Sequence, residues 1–318
     1  MDQAREWSQR QIWTRKLLYR THTLPGIALA AAPVMVAAGL AIRDGVFAPV
    51  PALVALLAGW LIQLGGALTG TYRNLLEEPE DREHAVLAGA VKSGTLSLST
   101  LKAAIWACFL GAATACVYLV AVAGIGRRDL RRAGDCRGLG LFGRAVSLRQ
   151  GWDRRPVVFV FFGIVAVLGT YYVQAAPAHA PDPMWQVVLE ALPWTVVAAS
   201  LPVGALATGL LVIDDMRDRK FDAVKGKRTV AVRFGIAWSR TEFLALTGFA
   251  YLCLFWCWLG LGFSAWVLLP LATLPLAWPT ARAVLTKDGY QDLSPAKRQT
   301  ARLMLSFSLL LATGTAVS

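Results

Sequence analysis

The stretch LVIDDMRDRKFDAVKGKRTVAVRFG, residues 211–235, decides how the rest of the chain is read. An apolar run stops at Asp214 and Asp215. Asp218 and Asp222 follow, and then Lys225, Gly226, Lys227, Arg228 and Thr229. Asp214, Asp218 and Asp222 recur at i, i+4 and i+8, so they share one face if the helix runs on. Asp215 and Asp218 are also one turn apart. Carboxylates this close repel unless compensated, and they tolerate one another best around a divalent cation. Mg²⁺ takes oxygen ligands, keeps some of its waters and is commonly completed by substrate phosphates. The cations Lys225, Lys227 and Arg228 can meet the remaining phosphate charge. A solvated mixed-charge loop is the plain alternative. The order of acids before bases at the end of an apolar helix favours a site for a magnesium-bound diphosphate beside an apolar tail.

Composition fixes the solvent in which that helix sits. The chain has 318 residues, 56% hydrophobic and only 16% charged, with a mean hydropathy of +0.51. Repeated apolar runs of about 20 residues predict an all-α, polytopic transmembrane bundle. The net charge of +12 then reads as positive-inside loops rather than as a nucleic-acid footprint, and no nucleic-acid-binding motif is present. Cys108, Cys116, Cys253 and Cys257 lie in apolar runs as small hydrophobes. Residues 1–22 are polar and basic and show no cleavable signal peptide, so they are expected on the cytoplasmic surface, partly as an amphipathic helix.

Eight spans are evident: 25–42, 50–71, 101–124, 157–176, 187–213, 241–262, 264–284 and 302–317. With the N-terminus in the cytoplasm, eight crossings put loop 177–186 inside and loop 214–240 outside. Both placements break the positive-inside rule. One more crossing within 125–156 repairs both and brings loops 72–100 and 214–240 to the same side. Yet residues 127–155 carry nine arginines and no lysine, and Arg is costly at a bilayer centre. Three readings stand: a basic loop, a ninth span stabilised by its neighbours, or a locally shifted reading frame in a GC-rich gene. The third is favoured, and the coding DNA tests it.

The chain resembles the UbiA-superfamily membrane prenyltransferases, most closely the branch that prenylates 1,4-dihydroxy-2-naphthoate in menaquinone synthesis. Residues 214–235, DDMRDRKFDAVKGKRTVAVRFG, are similar to that branch's second aspartate motif, N-N-x-R-D-x-x-x-D followed by G-K-R-T-L-A-V-R-x-G. Asp214 and Asp215 stand where the branch has asparagines, and Arg217, Asp218 and Asp222 match. FVFFGIVAVLGTYYVQ (159–174) and AVKSGTLS (90–97) are similar to two further segments. Resemblance covers most of the chain except 125–156. The first aspartate motif, N-D-x-x-D-x-x-x-D, falls on GTYRNLLEE (70–78), where Gly70, Thr71, Asn74 and Glu78 replace its Asn and three Asp residues. One carboxylate remains there of three, with Glu77, Glu80 and Asp81 close by in sequence.

The resemblance implies a single nine-helix prenyltransferase domain over residues 1–318 in a bacterial inner membrane, with the N-terminus and the active-site loops cytoplasmic. It implies Mg²⁺ as cofactor, held by Asn74, Glu78, Asp215, Asp218 and Asp222. The implied diphosphate contacts are Asn74, Glu78, Arg82, Arg217 and Lys225. Lys227 and Arg228 join Asp215, Asp218 and Asp222 as catalytic residues, neutralising the leaving group. The implied partners are a polyprenyl diphosphate, an aromatic acceptor and membrane lipid. Two other functions stay open: the same chemistry on another aromatic acceptor, and a non-catalytic isoprenoid- or quinone-binding protein. An unrelated transporter is disfavoured by the ordered acidic–basic stretch. Gln63 is expected to face the cavity, because an intramembrane amide seeks a partner. Tyr171, Tyr172 and Gln174 are expected at the opposite end as anchors or packing groups. Trp60, Trp106, Trp256 and Trp258 are expected to pack in the membrane, any of them being able to line the cavity.

Overall fold

The computed structural model describes residues 24–77, 97–123, 154–179, 193–224 and 226–318. Regular structure among them is helical throughout: α1 (Leu24–Arg43), α2 (Pro49–Glu77), α3 (Leu98–Val122), α4 (Arg155–Ala175), α5 (Trp194–Arg217), α6 (Arg219–Val224), α7 (Val230–Arg233), α8 (Gly235–Gly260), α9 (Ala265–Thr286) and α10 (Tyr290–Ala316). The middle of α4 is π-helical and the first part of α9 is 3₁₀. Among the described residues, seven helices are long and apolar enough to cross a membrane. The expected span 302–317 is the second half of α10, which begins earlier, at Tyr290. The span expected from 187 starts at Trp194, capped by Pro193 in an extended conformation, and residues 187–192 lie outside the described set.

Helix α5 is the axis of the bundle. Of its apolar window, 83% is buried, against 17% for α3, so groups at the end of α5 are held by protein rather than by lipid. Between apolar helices in lipid there is no hydrophobic drive to associate, and close packing of small residues takes over. The sequence of α5 supplies them: Ala198, Ala199, Ser200, Gly204, Ala205, Ala207 and Gly209 are all buried. Gly204 meets Gly163 of α4. A Cβ on Gly204 would lie 2.7 Å from the Phe159 carbonyl oxygen, and one on Gly163 would lie 2.6 Å from the Gly204 Cα. This contact falls within the π-helical turns Phe159–Val165, the kind of local widening often found at functional sites. Gly204→Val is therefore expected to destabilise the fold by about 1–3 kcal/mol through overpacking. An unchanged melting temperature in detergent would refute the close approach.

Polar ties sort the helix ends onto two faces. On one, Arg155 at the start of α4 pairs with Asp215 at the end of α5. Arg240 near the start of α8 donates to the carbonyls of Val284 and Lys287 at the end of α9. Lys297 of α10 pairs with Asp214. On the other face, Tyr171 donates to Asp44, Arg43 donates to Thr195, and Ser264 bonds Ser318. Tyr171 and Gln174 thus lie at the end expected for them. Gln174 bonds the Thr170 carbonyl and the Ala48 amide.

Helices α2 and α3 run antiparallel, with Gly65 against Phe109 and Gly111 against Leu61. The end of α2 and the start of α3 accordingly share the face of Asp214. So α3 ends on one face and Arg154 stands on the other. The chain thus leaves α3 on one face and enters α4 on the other, as the parity of the charged loops requires, and the expected ninth crossing within 125–156 falls almost wholly outside the described residues. Arg154 and Arg155, counted above in the arginine-rich stretch, belong to the folded bundle, because both pair with Asp215.

Candidate active site at the end of the central helix

The expected loop 214–240 is largely helical. Helix α5 reaches Arg217, Asp218 caps it, and α6 follows at once. The turns stay nearly in register, because the Asp218 amide donates to the Asp214 carbonyl at 2.9 Å and the Asp222 amide to the Asp218 carbonyl at 2.8 Å. The conditional spacing argument for Asp214, Asp218 and Asp222 therefore holds for the backbone. Gly226 ends α6 with φ +68°. The Lys227 amide bonds the Asp222 carbonyl and the Gly226 amide bonds the Ala223 carbonyl, a glycine-dependent helix stop. That stop is what turns Lys227 back onto Asp222.

The four aspartates are all compensated, Asp214 and Asp218 sharing Arg217. Asp214 pairs with Lys297 at 2.6 Å and with Arg217 at 3.5 Å. Asp218 receives two bonds from the Arg217 guanidinium, both 2.8 Å. Arg217 also stacks over Tyr290, 4.8 Å from the ring centroid. Asp222 is buried and pairs with Lys227 at 2.9 Å, whose side chain is 57% exposed. Asp215 is buried, with one oxygen 3.2 Å from Arg154 and the other 3.1 Å from Arg155. Buried Arg155 also pairs with Glu242 of α8. Beneath lies an apolar floor of Val212, Ile213, Met216, Phe243, Val284 and Leu293.

These pairings separate the aspartates. Asp214, Asp218 and Asp222 pair with Lys297, Arg217 and Lys227, of which Lys227 is the most exposed. Asp215 is drawn into the protein, between α4 and α8. Among the described residues no three carboxylate, imidazole or thiol groups converge as a preformed metal set. Arg228 is exposed. Thr229, which opens α7, holds a buried hydroxyl with no hydrogen-bond partner among the described residues. Asn74 lies in the last turn of α2, on the same face as Asp214, and its side chain lies outside the described residues, as do Glu78, Arg82 and Lys225.

Against this constellation opens a cavity of about 290 Å³, walled by α1, α2, α4, α5 and α10. Leu29, Trp60, Leu64, Phe162 and Leu210 make it apolar, and Gln63, Asp214 and Lys297 give it a polar edge. Gln63 thus lines the cavity as expected. Of the four tryptophans, Trp60 lines it, while Trp106, Trp256 and Trp258 are exposed on the bundle's outside. Sequence reasoning did not single out Lys297, Glu242, or Arg154 and Arg155 as partners of Asp215. A lysine or glutamate one or two turns inside a membrane helix was the available signal.

Residues 149–309 match the UbiA prenyltransferase family model. The chain is 28% identical to the 1,4-dihydroxy-2-naphthoate octaprenyltransferase of Escherichia coli (strain K12), over 98% of this chain and 97% of that protein. It is 35% identical to the protein of the same name from Mycobacterium tuberculosis, over 49% of this chain and 47% of that protein, so this alignment spans about half of either. Among solved structures, the apo form of a UbiA homolog from Aeropyrum pernix K1 shares the fold at a TM-score of 0.61 and 16% identity, over 91% of this chain and 97% of that one.

Proposed function

The chain belongs to the UbiA prenyltransferase family, and from that premise we propose that it transfers a polyprenyl group from its diphosphate to 1,4-dihydroxy-2-naphthoate, in a bacterial inner membrane with its active-site face toward the cytoplasm. That it is an integral-membrane prenyltransferase follows from the family and the spans. The observation that carries the rest is the juxtaposition of the acidic–basic stretch with an apolar cavity at one end of the bundle. The names of the relatives support the naphthoate acceptor.

The donor set fits Mg²⁺ in its chemistry. Asp218 and Asp222 are oxygen donors one turn apart, and their present partners, Arg217 and exposed Lys227, can turn toward added phosphate. The partnerless hydroxyl of Thr229 suits an anion as well. Asp218 and Asp222 would hold the ion, with Asn74 and Glu78 from the end of α2. Asp215 would serve less directly, since both its oxygens are engaged. When bound, the ion would screen diphosphate charge and help it leave. Lys227, Arg228, Lys225 and Arg82 would neutralise charge developing on that leaving group. The prenyl C–O bond breaks and its electron pair departs with the diphosphate. An electron-rich ring carbon then forms the new C–C bond and the ring loses its proton. With the naphthoate, CO₂ also leaves and a proton takes its place. The apolar walls keep water from capturing the allylic cation.

Membranes containing the protein, given Mg²⁺, a polyprenyl diphosphate and the naphthoate, are expected to yield demethylmenaquinol, read by mass spectrometry as demethylmenaquinone after oxidation in air. Chelation with EDTA is expected to abolish product and excess Mg²⁺ to restore it. Product that survives chelation would overturn the metal assignment. Absence of product from well-folded protein would overturn the acceptor, and failure across a panel of aromatic acceptors would favour a binding protein.

A further inference from the structure

In that reading the donor half of the reaction uses the cations that follow α6, Lys225, Lys227 and Arg228, with Arg82. Lys297 is not among them. It stands on α10, about two turns inside a helix whose second half is apolar, and lines the wall of the cavity. An ammonium group placed against apolar surface is costly unless paired. Its Nζ is 2.6 Å from Asp214 Oδ1, and the two side chains are 21% and 29% exposed. An ammonium has three donors, so this pairing leaves Lys297 the capacity to bind a second anion. Asp214 in turn retains acceptor capacity for a hydroxyl. Trp60 and Phe162 offer aromatic faces in the same cavity, and Gln63 offers an amide. The volume of about 290 Å³ lies near the lower limit for small-ligand sites and suits a fused pair of rings.

Resting on the prenyl-transfer reading, we propose that this cavity takes the aromatic acceptor as an acid, with the acceptor's carboxylate on Lys297, a ring hydroxyl donating to Asp214, and the rings against Trp60 and Phe162. Lys297 is then the residue that distinguishes acidic aromatic acceptors from neutral ones. The anion it meets is the carboxylate rather than the diphosphate. The flanking Asp214 carboxylate disfavours a multiply charged group, and the diphosphate has its own cations at Lys227 and Arg228.

Binding without donor or metal tests this on the full-length protein in detergent. The probes are 1-hydroxy-2-naphthoate and 1-naphthol, which differ by the carboxylate, read by tryptophan fluorescence or calorimetry. The wild type is expected to bind the acid about 10–100-fold more tightly than the naphthol, the worth of a charge-assisted hydrogen bond. Lys297→Gln is expected to lose that preference, and Lys297→Arg to keep most of it. Trp60→Ala is expected to weaken both ligands alike. In the transfer assay Lys297→Gln should raise the KM for the acceptor and leave that for a polyprenyl diphosphate unchanged. Melting temperatures establish which variants are folded, and Lys297→Arg decides the matter if Lys297→Gln is not. Equal affinity of the wild type for acid and naphthol overturns the proposal, and so does a loss confined to the diphosphate. If the wild type transfers no prenyl group to any acceptor yet binds the acid through Lys297, the prenyl-transfer reading fails and the site stands.

Discussion

Asp218→Asn is expected to reduce prenyl transfer by about 100-fold or more, the scale on which removal of one preorganised charge-stabilising group acts. Asp218 occupies the break between α5 and α6, half-buried, and is held by the neighbouring guanidinium of Arg217. The substitution keeps shape and hydrogen-bonding capacity and removes the charge. Its effect should therefore fall on metal and diphosphate, with the fold unchanged. The measurement is turnover against Mg²⁺ concentration at saturating acceptor, with a melting curve in detergent. A variant that retains wild-type turnover and Mg²⁺ requirement would remove Asp218 from the site. Asp215→Asn is the informative contrast. With both Asp215 oxygens on Arg154 and Arg155, its Mg²⁺ requirement should stay close to that of the wild type.

Arg155→Met is expected to be the most destabilising single change, by about 3–5 kcal/mol, because it takes the buried partner from buried Asp215, leaving that carboxylate the 58% exposed Arg154, and removes a cation from Glu242. Arg155 is 4% exposed and joins three helices: its own α4, Asp215 of α5 and Glu242 of α8. A methionine fills much of the same volume, so the loss is electrostatic rather than a cavity. Combining it with Asp215→Asn, which removes the buried charge that has lost its buried partner, should recover part of the loss. That coupling, read as a double-mutant cycle of melting temperatures, is the specific signature. Strictly additive losses would show that Arg155 and Asp215 do not act as a pair.

Much of this was legible before any coordinates. The apolar runs announced a membrane bundle, because a segment of about 20 apolar residues has few other stable solutions. The parity of charged loops called for opposite faces at the two ends of 125–156, and the end of α3 and the start of α4 lie on opposite faces. The spacing of Asp214, Asp218 and Asp222 needed only a helix that continues, and the backbone bonds across Asp218 supply it. Gln63 could be placed facing inward because a lone amide in lipid has nowhere better to go.

Features that depend on local period or on the lipid solvent, namely the apolar spans and the acidic helix end, could thus be read from the residues alone. Which carboxylate meets which cation depended on how the helices pack. Asp214 and Asp215 are adjacent and chemically identical in sequence. A helix turns by about 100° per residue, so one faces the cavity and Lys297, 83 positions away, while the other is drawn between Arg155 and the helix of Glu242. Pairing across such separations is set by how the helices pack, and small residues such as Gly163 and Gly204 set that packing by letting two backbones come within contact distance.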